Sequence, residues 1–348
     1  MTRKLVLLDV PMLDAVGKEM LGAEVEVVAG WELTTDERAE VLASAHGLGG
    51  GGSTADVAGG PRLEVIASYG SGVDHIDVRA ATEAGIVVVN AAGAQYSAVA
   101  EHGIGLMLAF AKRITYTDRI MHVERRFIPR SELTGDGWPG WPTQLQGKTL
   151  GIVGFGFVGR DLAQKCRLAF GMDVLVHSPR ADPDEAARQG VEVVATLDDL
   201  LARSDYVSVS VPLTEETRGM IGRDQLARMK AGAVLVNLSR GPTVDTDALL
   251  DALTSGHLAG AALDVFDPEP LTDGHPLYDL DNVVMTPHIG GWVIDATAAL
   301  SRTAAREILR VLRGERPWRL VNPEVWGTRR TQDGRLGSRP TDLRSEAP

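Results

Sequence analysis

At 348 residues the chain is long enough for two domains of ordinary size. Its 44% hydrophobic and 24% charged residues are those of a globular protein able to bury a sizeable core. Acidic residues outnumber basic ones 47 to 35, and the net charge of −12 has the wrong sign for a general binder of nucleic acid or anionic membrane. Nothing approaches 18 consecutive apolar residues, so no membrane span is expected. Asp9 and Pro11 interrupt the opening apolar run before it can act as a signal peptide. Cys166 is alone, which rules out an internal disulfide or a cysteine metal cluster, and no metal site is expected. A reducing, cytoplasmic location fits this composition.

In chain order, residues 4–8, 47–49, 63–67 and 86–89 read as strands, with an amphipathic helix at 35–44 between the first two. One long helical pattern runs from 97 to 123. Residues 125–148 carry three prolines and two tryptophans without a clear period, and read as an extended excursion. Strands then recur at 150–153, 174–177, 191–194, 206–211, 234–237, 260–263 and 283–286. Helical patterns at 157–170, 198–203 and 246–255 separate several of them, and a second long helix spans 295–313. Strands alternating with helices predict an α/β fold of doubly wound parallel sheets. Continuous runs such as YVSVSVP and AVLVNLS suit strands covered on both faces. The two long helices each flank the central block once. The expectation is therefore a domain at 99–290 inserted into one formed by 1–98 and 291–326. Residues 327–348 are arginine-rich with little apolar content and read as a disordered tail.

The strongest local signal is Gly151-Ile-Val-Gly154-Phe155-Gly156-Phe157-Val158-Gly159-Arg160. A strand enters it and a helix leaves it, the context that a dinucleotide-binding turn requires. Gly154 suits the tight turn, Gly156 lets a pyrophosphate approach the backbone, and Gly159 allows close helix–strand packing. The helix N-terminus then offers N–H groups and the positive dipole end. An NAD site places an acid at the end of the next strand, where it meets the ribose hydroxyls. Here Ser178 holds that position, Arg180 follows, and Asp173 lies at the strand's opposite end. This favours NADP(H) over NAD(H), with Ser178 and Arg180 on the 2′-phosphate.

Several further segments stand in a characteristic order: ASYGSGVDHIDVRAATEAGIVVVNAAG, AVAEHGIGLMLAFAKR, GKTLGIVGFGFVGR, VPLTEETRGMIG, LVNLSRGPTVDTDAL, GAALDVFDPEPL and MTPHIGG. Together they resemble the D-isomer-specific 2-hydroxyacid dehydrogenase family, over residues 1–323. The resemblance implies a Rossmann-type cofactor domain inserted in a flavodoxin-like substrate domain, and glyoxylate/hydroxypyruvate reductase-like activity. Arg240 matches the arginine that binds the substrate's carboxylate and reacting carbonyl, where a planar, permanently charged fork grips both oxygens. His288 matches the general acid/base, a role suited to a side chain that titrates near working pH. Glu269 matches its partner carboxylate, which favours the imidazolium form. Gly70, Ser71 and Gly72 match a loop whose N–H groups hold the substrate carboxylate. Val211, Pro212, Thr217, Leu238 and Asp264 match residues beside the cofactor, Asp264 meeting the nicotinamide carboxamide. Asn90 and Glu101 read as architectural. Relatives form homodimers through the cofactor domain, and in some of them a partner's tryptophan closes the site. Trp138 and Trp141 are candidates for that part, and Trp292 for lining the pocket.

Departures from the family pattern bear on the substrate. The loop His46-Gly-Leu-Gly-Gly-Gly-Gly-Ser53 lacks the arginine that phosphoglycerate-specific relatives commonly carry there, and its glycines suggest a roomy mouth. The missing arginine, and the lack of a regulatory domain after residue 326, argue for an unphosphorylated 2-keto acid, and the room would admit anything from glyoxylate to a bulkier one. Two other readings compete: a dinucleotide-sensing scaffold resembling corepressor relatives, and a formate dehydrogenase. The latter relatives pair the histidine with glutamine, where this chain has Glu269.

Overall fold

A computed structural model describes residues 3–9, 15–129 and 141–331. In chain order the first elements are β1 (Leu5–Leu8), α1 (Ala15–Gly22), β2 (Glu26–Ala29), α2 (Thr35–Ser44), β3 (Gly47–Gly49) and α3 (Thr54–Gly59). Next come β4 (Val65–Ala67), α4 (Val78–Glu83), β5 (Val87–Val89), α5 (Tyr96–Ala111) and α6 (Ile114–Val123). The middle of the chain forms β6 (Thr149–Val153), α7 (Phe157–Phe170), β7 (Asp173–His177), α8 (Pro183–Arg188), β8 (Glu192–Val193) and α9 (Leu197–Arg203). It continues as β9 (Tyr206–Val209), α10 (Arg223–Arg228), β10 (Val234–Asn237), α11 (Thr246–Thr254), β11 (Gly260–Leu263), β12 (Val283–Met285) and α12 (Ile294–Leu312).

The chain divides into two compact units, one formed by residues 1–95 and 293–348 and the other by Tyr96–Trp292. The first holds a five-stranded sheet in the order β2-β1-β3-β4-β5, with every pairing parallel. Its strands are covered on both faces, as their apolar runs require. Val6, Leu8, Val65 and Val87 pack with Ala304, Ala305 and Ile308 of α12, whereas Leu7, Leu48, Ile66 and Val88 pack with Leu42, Val57 and Ala81. Thr34 and Glu37 close a reciprocal capping box that starts α2 at Thr35. The edge strand β2 has no counterpart in the sequence reading. It is short, half-exposed and polar at its first residue, so its signal is weak.

The second unit holds a seven-stranded parallel sheet in the order β12-β11-β10-β9-β6-β7-β8. The order reverses between β6 and β9, and ligands of such sheets bind outside the carboxyl ends at this switch point. Both sheets are thus doubly wound and parallel, as the alternation of elements leads one to expect.

The single helix expected over 97–123 is two. Arg113 adopts φ 57°, ending α5 and starting α6, and its buried guanidinium stacks over Phe110 at 4.5 Å. The apolar period continues through the break, so periodicity alone does not reveal it. Residues 327–331, expected to open the tail, are instead tied to the first unit. Arg330 N donates to Gly85 O at 2.7 Å, and its guanidinium reaches Gly60 O and Pro61 O. The rest of the expected tail, 332–348, lies outside the described residues. Cys166 is fully buried in the second unit's core, where desolvation pushes its thiol up to about 12. No helix among the described residues is long and apolar enough to cross a membrane.

Candidate active site

The turn from β6 to α7 stands at the switch point of the seven-stranded sheet. Gly154 has φ +97°, and a Cβ there would stand 2.5 Å from Ser210 O. A Cβ at Gly159 would overlap Gly154 O, so this glycine lets α7 lie on the strand end. Gly156, by contrast, has no atom within 4 Å of a Cβ position and no side-chain bond capping the helix. The open space at Gly156, beside the first N–H groups of a 14-residue helix, fits a pyrophosphate. Phe155 is buried beneath the turn with Arg160 stacked on it at 4.6 Å; Phe157 is exposed and Val158 half-buried.

At the end of β7, Ser178 is half-buried and Arg180 exposed. The acids that follow are engaged locally. Asp182 accepts the Asp184 and Glu185 amides at the start of α8, and Glu185 pairs with Arg160 at 2.5 Å. Across the switch point, Thr217 Oγ1 donates to Pro212 O at 2.7 Å and accepts from Thr214 N at 2.8 Å. Val211 O accepts from Ser239 Oγ, which ties this loop to the end of β10.

The ends of β10, β11 and β12 carry the three charged residues singled out by the sequence. After β10, Arg240 O accepts from Thr243 Oγ1 at 2.7 Å and from Asn237 Nδ2 at 3.1 Å, which pins the residue's backbone. Its Nη1 donates to Ser239 O at 2.8 Å. A Cβ on the following Gly241 would overlap Phe266 O, so only glycine lets this turn press against the segment after β11. That segment, with cis Asp267–Pro268 and Glu269–Pro270 bonds, presents Glu269. After β12, His288 adopts φ 55°, and its Nδ1 donates to Glu269 Oε1 at 2.5 Å. Glu269 Oε2 faces Phe266 N at 3.4 Å. Both side chains remain partly open to solvent, and the bond at Nδ1 leaves Nε2 as the nitrogen for a substrate.

Asp264 is buried at the end of β11 and holds the His288 turn. Oδ1 accepts from Thr286 Oγ1 at 2.6 Å and Ile289 N at 3.0 Å, and Oδ2 from Gly290 N at 2.9 Å. Burial works against its charge, but these donors and His102 outweigh it and hold the carboxyl below its ordinary range. A direct role toward a carboxamide would have to use what remains on Oδ2. Leu238 packs on the sheet core. Glu101 pairs with Lys165, linking α5 to α7.

In the first unit, the loop after β4 is held through its carbonyls. Gly72 O accepts from Ser68 Oγ, Ser71 O from Asn90 Nδ2, and Gly70 O from Ala91 N. Among the described residues, the Ser71 and Gly72 amides have no partner. Ser68 and Asn90 thus brace the loop, an architectural role expected of Asn90 but not of Ser68. Glycines at the end of β3 and just after it serve close packing. A Cβ at Gly49 would overlap the Tyr69 hydroxyl, and one at Gly51 would stand 2.7 Å from Asp9 Oδ2. Arg38 reaches this region from α2, yet it is matched by two carboxylates, Asp9 and, at 2.6 Å, Asp56. Trp141 and Trp292 are both largely exposed, at 66% and 70%; Trp138 lies outside the described residues.

A family model described as D-isomer specific 2-hydroxyacid dehydrogenase, NAD binding domain, matches residues 104–290. The glyoxylate reductase of Thermofilum pendens is 43% identical over 273 residues, 76% of either chain. The chain belongs to the D-isomer-specific 2-hydroxyacid dehydrogenase family. Another relative is the D-3-phosphoglycerate dehydrogenase of Methanocaldococcus jannaschii, 41% identical over 303 residues. That match covers 86% of this chain but 55% of the relative, so the chain spans about half the relative's length. Among solved structures, the holo form of Rhodotorula graminis D-mandelate dehydrogenase superposes with a TM-score of 0.82 at 27% identity, covering 98% of this chain and 100% of that one. As a 2-hydroxyacid dehydrogenase, the chain is a nicotinamide-dinucleotide-dependent oxidoreductase that interconverts 2-keto and 2-hydroxy acids.

Proposed function

We propose that this dehydrogenase reduces a small, unphosphorylated 2-keto acid of the glyoxylate or hydroxypyruvate type to the D-2-hydroxy acid, with NADPH preferred over NADH. The observation that carries the reading is the Glu269–His288 pair on adjacent strand ends, with Arg240 on the next. When bound, the dinucleotide supplies the hydride that reduces C2. Gly154, Gly156 and Gly159 shape its phosphate turn, with Phe155, Phe157 and Val158 around them. Val211, Pro212, Thr217 and Leu238 flank its sugar and nicotinamide end. Arg240 grips the carboxylate and keto oxygen, and the amides of the Gly70–Ser71–Gly72 loop hold the carboxylate. His288 gives its Nε2 proton to the keto oxygen as the C2–O double bond becomes single, and it regains one from solvent. Glu269 orients the ring through Nδ1 and balances the imidazolium charge before that transfer.

Three observations support the finer choices. Glyoxylate reductases of Thermofilum pendens and Pyrococcus furiosus are 43% and 41% identical. Arg38, the guanidinium beside the glycine loop, is already balanced by Asp9 and Asp56 and is a poor partner for a substrate phosphate. No carboxylate ends β7 to repel a 2′-phosphate, while Ser178 and Arg180 are accessible to bind one. A homodimer through the cofactor unit is supported by the apolar side chains exposed on and after α6: Ile114, Met121, Val123 and Phe127.

The test is a panel of initial rates with glyoxylate, hydroxypyruvate, 3-phosphohydroxypyruvate, pyruvate and phenylpyruvate, each with NADPH and with NADH. Turnover of glyoxylate or hydroxypyruvate with NADPH is expected. A higher kcat/KM for the phosphorylated acid would overturn the substrate class, and a preference for NADH would overturn the cofactor assignment.

A further inference from the structure

Left-handed backbone at a β-substituted residue persists only where the surroundings over-determine it. His288 is such a residue, and the groups that fix it are one residue or more away. Its own N bonds Thr286 O at 3.0 Å, while Asp264 gathers Thr286 Oγ1 on one side and the Ile289 and Gly290 amides on the other. Behind this carboxylate stands His102 of α5, with Nε2 2.8 Å from Thr286 Oγ1 and 3.2 Å from Asp264 Oδ1. Donor counting fixes the protonation of that nitrogen. Thr286 has one proton and gives it to the ionised Asp264, so it can only accept from His102, and Nε2 must carry a hydrogen. Gly290 completes the fit, since a Cβ there would stand 2.9 Å from Asp264 Oδ2 and 3.2 Å from the His102 ring.

The neighbour of His102 packs beside the turn that carries the second charged residue. A Cβ at Gly103 would overlap Leu238, the residue two before Arg240, so the helix lies directly against the turn after β10. We propose that the His102–Gly103 pair of α5 is a common floor for the active site, and that His102 and Thr286 are positioning residues that set the aim of His288 through Asp264. They touch neither substrate nor cofactor in this reading; they act through the turn. The inference rests on the assignment of His288 as acid/base, and it is tested by two independent readouts.

The variants are His102→Ala, His102→Gln, Thr286→Val and Thr286→Ser. In hydrogen–deuterium exchange, the peptide covering residues 285–292 is expected to exchange about 10-fold faster in His102→Ala and Thr286→Val, because the Ile289 and Gly290 amides lose a fixed acceptor. It should be unchanged in Thr286→Ser, which keeps the hydroxyl, and largely restored in His102→Gln, which keeps a donor. With the best keto acid of the panel, kcat should fall about 10- to 100-fold in His102→Ala and Thr286→Val, the size of effect a misplaced catalytic group produces. The dissociation constant for the dinucleotide should stay within about 2-fold, since the β6–α7 turn is untouched. Unchanged exchange and unchanged kcat in Thr286→Val, at wild-type melting temperature, would overturn the proposal. So would dinucleotide affinity lost in parallel with kcat. A wild type that turns over no keto acid would refute the reaction assigned to His288, and the exchange data would then decide the positioning role by themselves.

Discussion

Glu269 uses both carboxylate oxygens within its own neighbourhood, one facing the Phe266 amide and one taking the His288 Nδ1 hydrogen. A neutral isostere keeps the shape but not the charge. Glu269→Gln is therefore expected to lower kcat about 100-fold with little change in dinucleotide affinity, and His288→Ala by about 10² to 10⁴. Wild-type kcat in either variant would remove the pair from the reaction. At the end of β7 the determinant proposed for the cofactor choice is an absence of charge. Ser178→Asp should repel a 2′-phosphate and cut the NADPH-to-NADH ratio of kcat/KM by about 10-fold or more. An unchanged ratio would show that the phosphate is not read there. Individual side chains of this kind can be singled out in the sequence because short motifs name them. Ser68 cannot, because its work is done through a loop carbonyl that sequence spacing does not encode.

Elements were legible where a local rule sets their ends. The α7 limits follow from the glycine turn before it and from Gly171, left-handed at φ 59°, after it. The capping box at Thr34 fixes α2 in the same way. The break at Arg113 was not legible, because the apolar period of α5 runs on into α6 and no glycine or proline marks the left-handed residue between them. Within the β6–α7 turn, two glycines separate packing from binding. Gly159→Ala forces a methyl group onto Gly154 O and should cost about 1–3 kcal/mol of stability, read as a lower melting temperature. Gly156→Ala meets no protein atom and should leave the melting temperature unchanged while weakening dinucleotide binding measured by fluorescence titration. Equal melting temperatures for the two variants would contradict the close approach of α7 to its strand.

For the whole molecule, several ionisable groups lean in one direction with pH. Burial opposes the charge on Asp56, but bonds from Gly52, Arg38 and Ser53 outweigh it and hold its carboxyl low, as they do in kind for Asp264. The unfolded chain then binds more protons than the folded one in acid, so this stabilisation is complete above about pH 3.8, the ordinary value, and is lost as pH falls below it. His46 adds an earlier step. Burial, helped by Lys4 and Arg62, depresses its pKa below 6.5, and its Nδ1 accepts from Leu5 N. Its contribution is present above 6.5 and declines below. Burial pushes the Glu64 carboxyl above its ordinary 4.5 and works the other way near that pH. The histidine stage is therefore read as the difference in the pH dependence of the urea midpoint between wild type and His46→Gln; identical profiles would exclude it. Assembly is a separate matter of surface. Val123→Asp with Phe127→Asp should shift light-scattering mass from dimer to monomer without loss of fold, and a wild-type monomer would refute the dimer. Finally, the one thiol of the chain is sealed in the core and protonated at any working pH. A cysteine placed anywhere on the surface becomes the only nucleophilic sulfur that maleimides can find. The wild-type protein is thus a ready background for attaching paired fluorophores or spin labels, with no native residue to remove first.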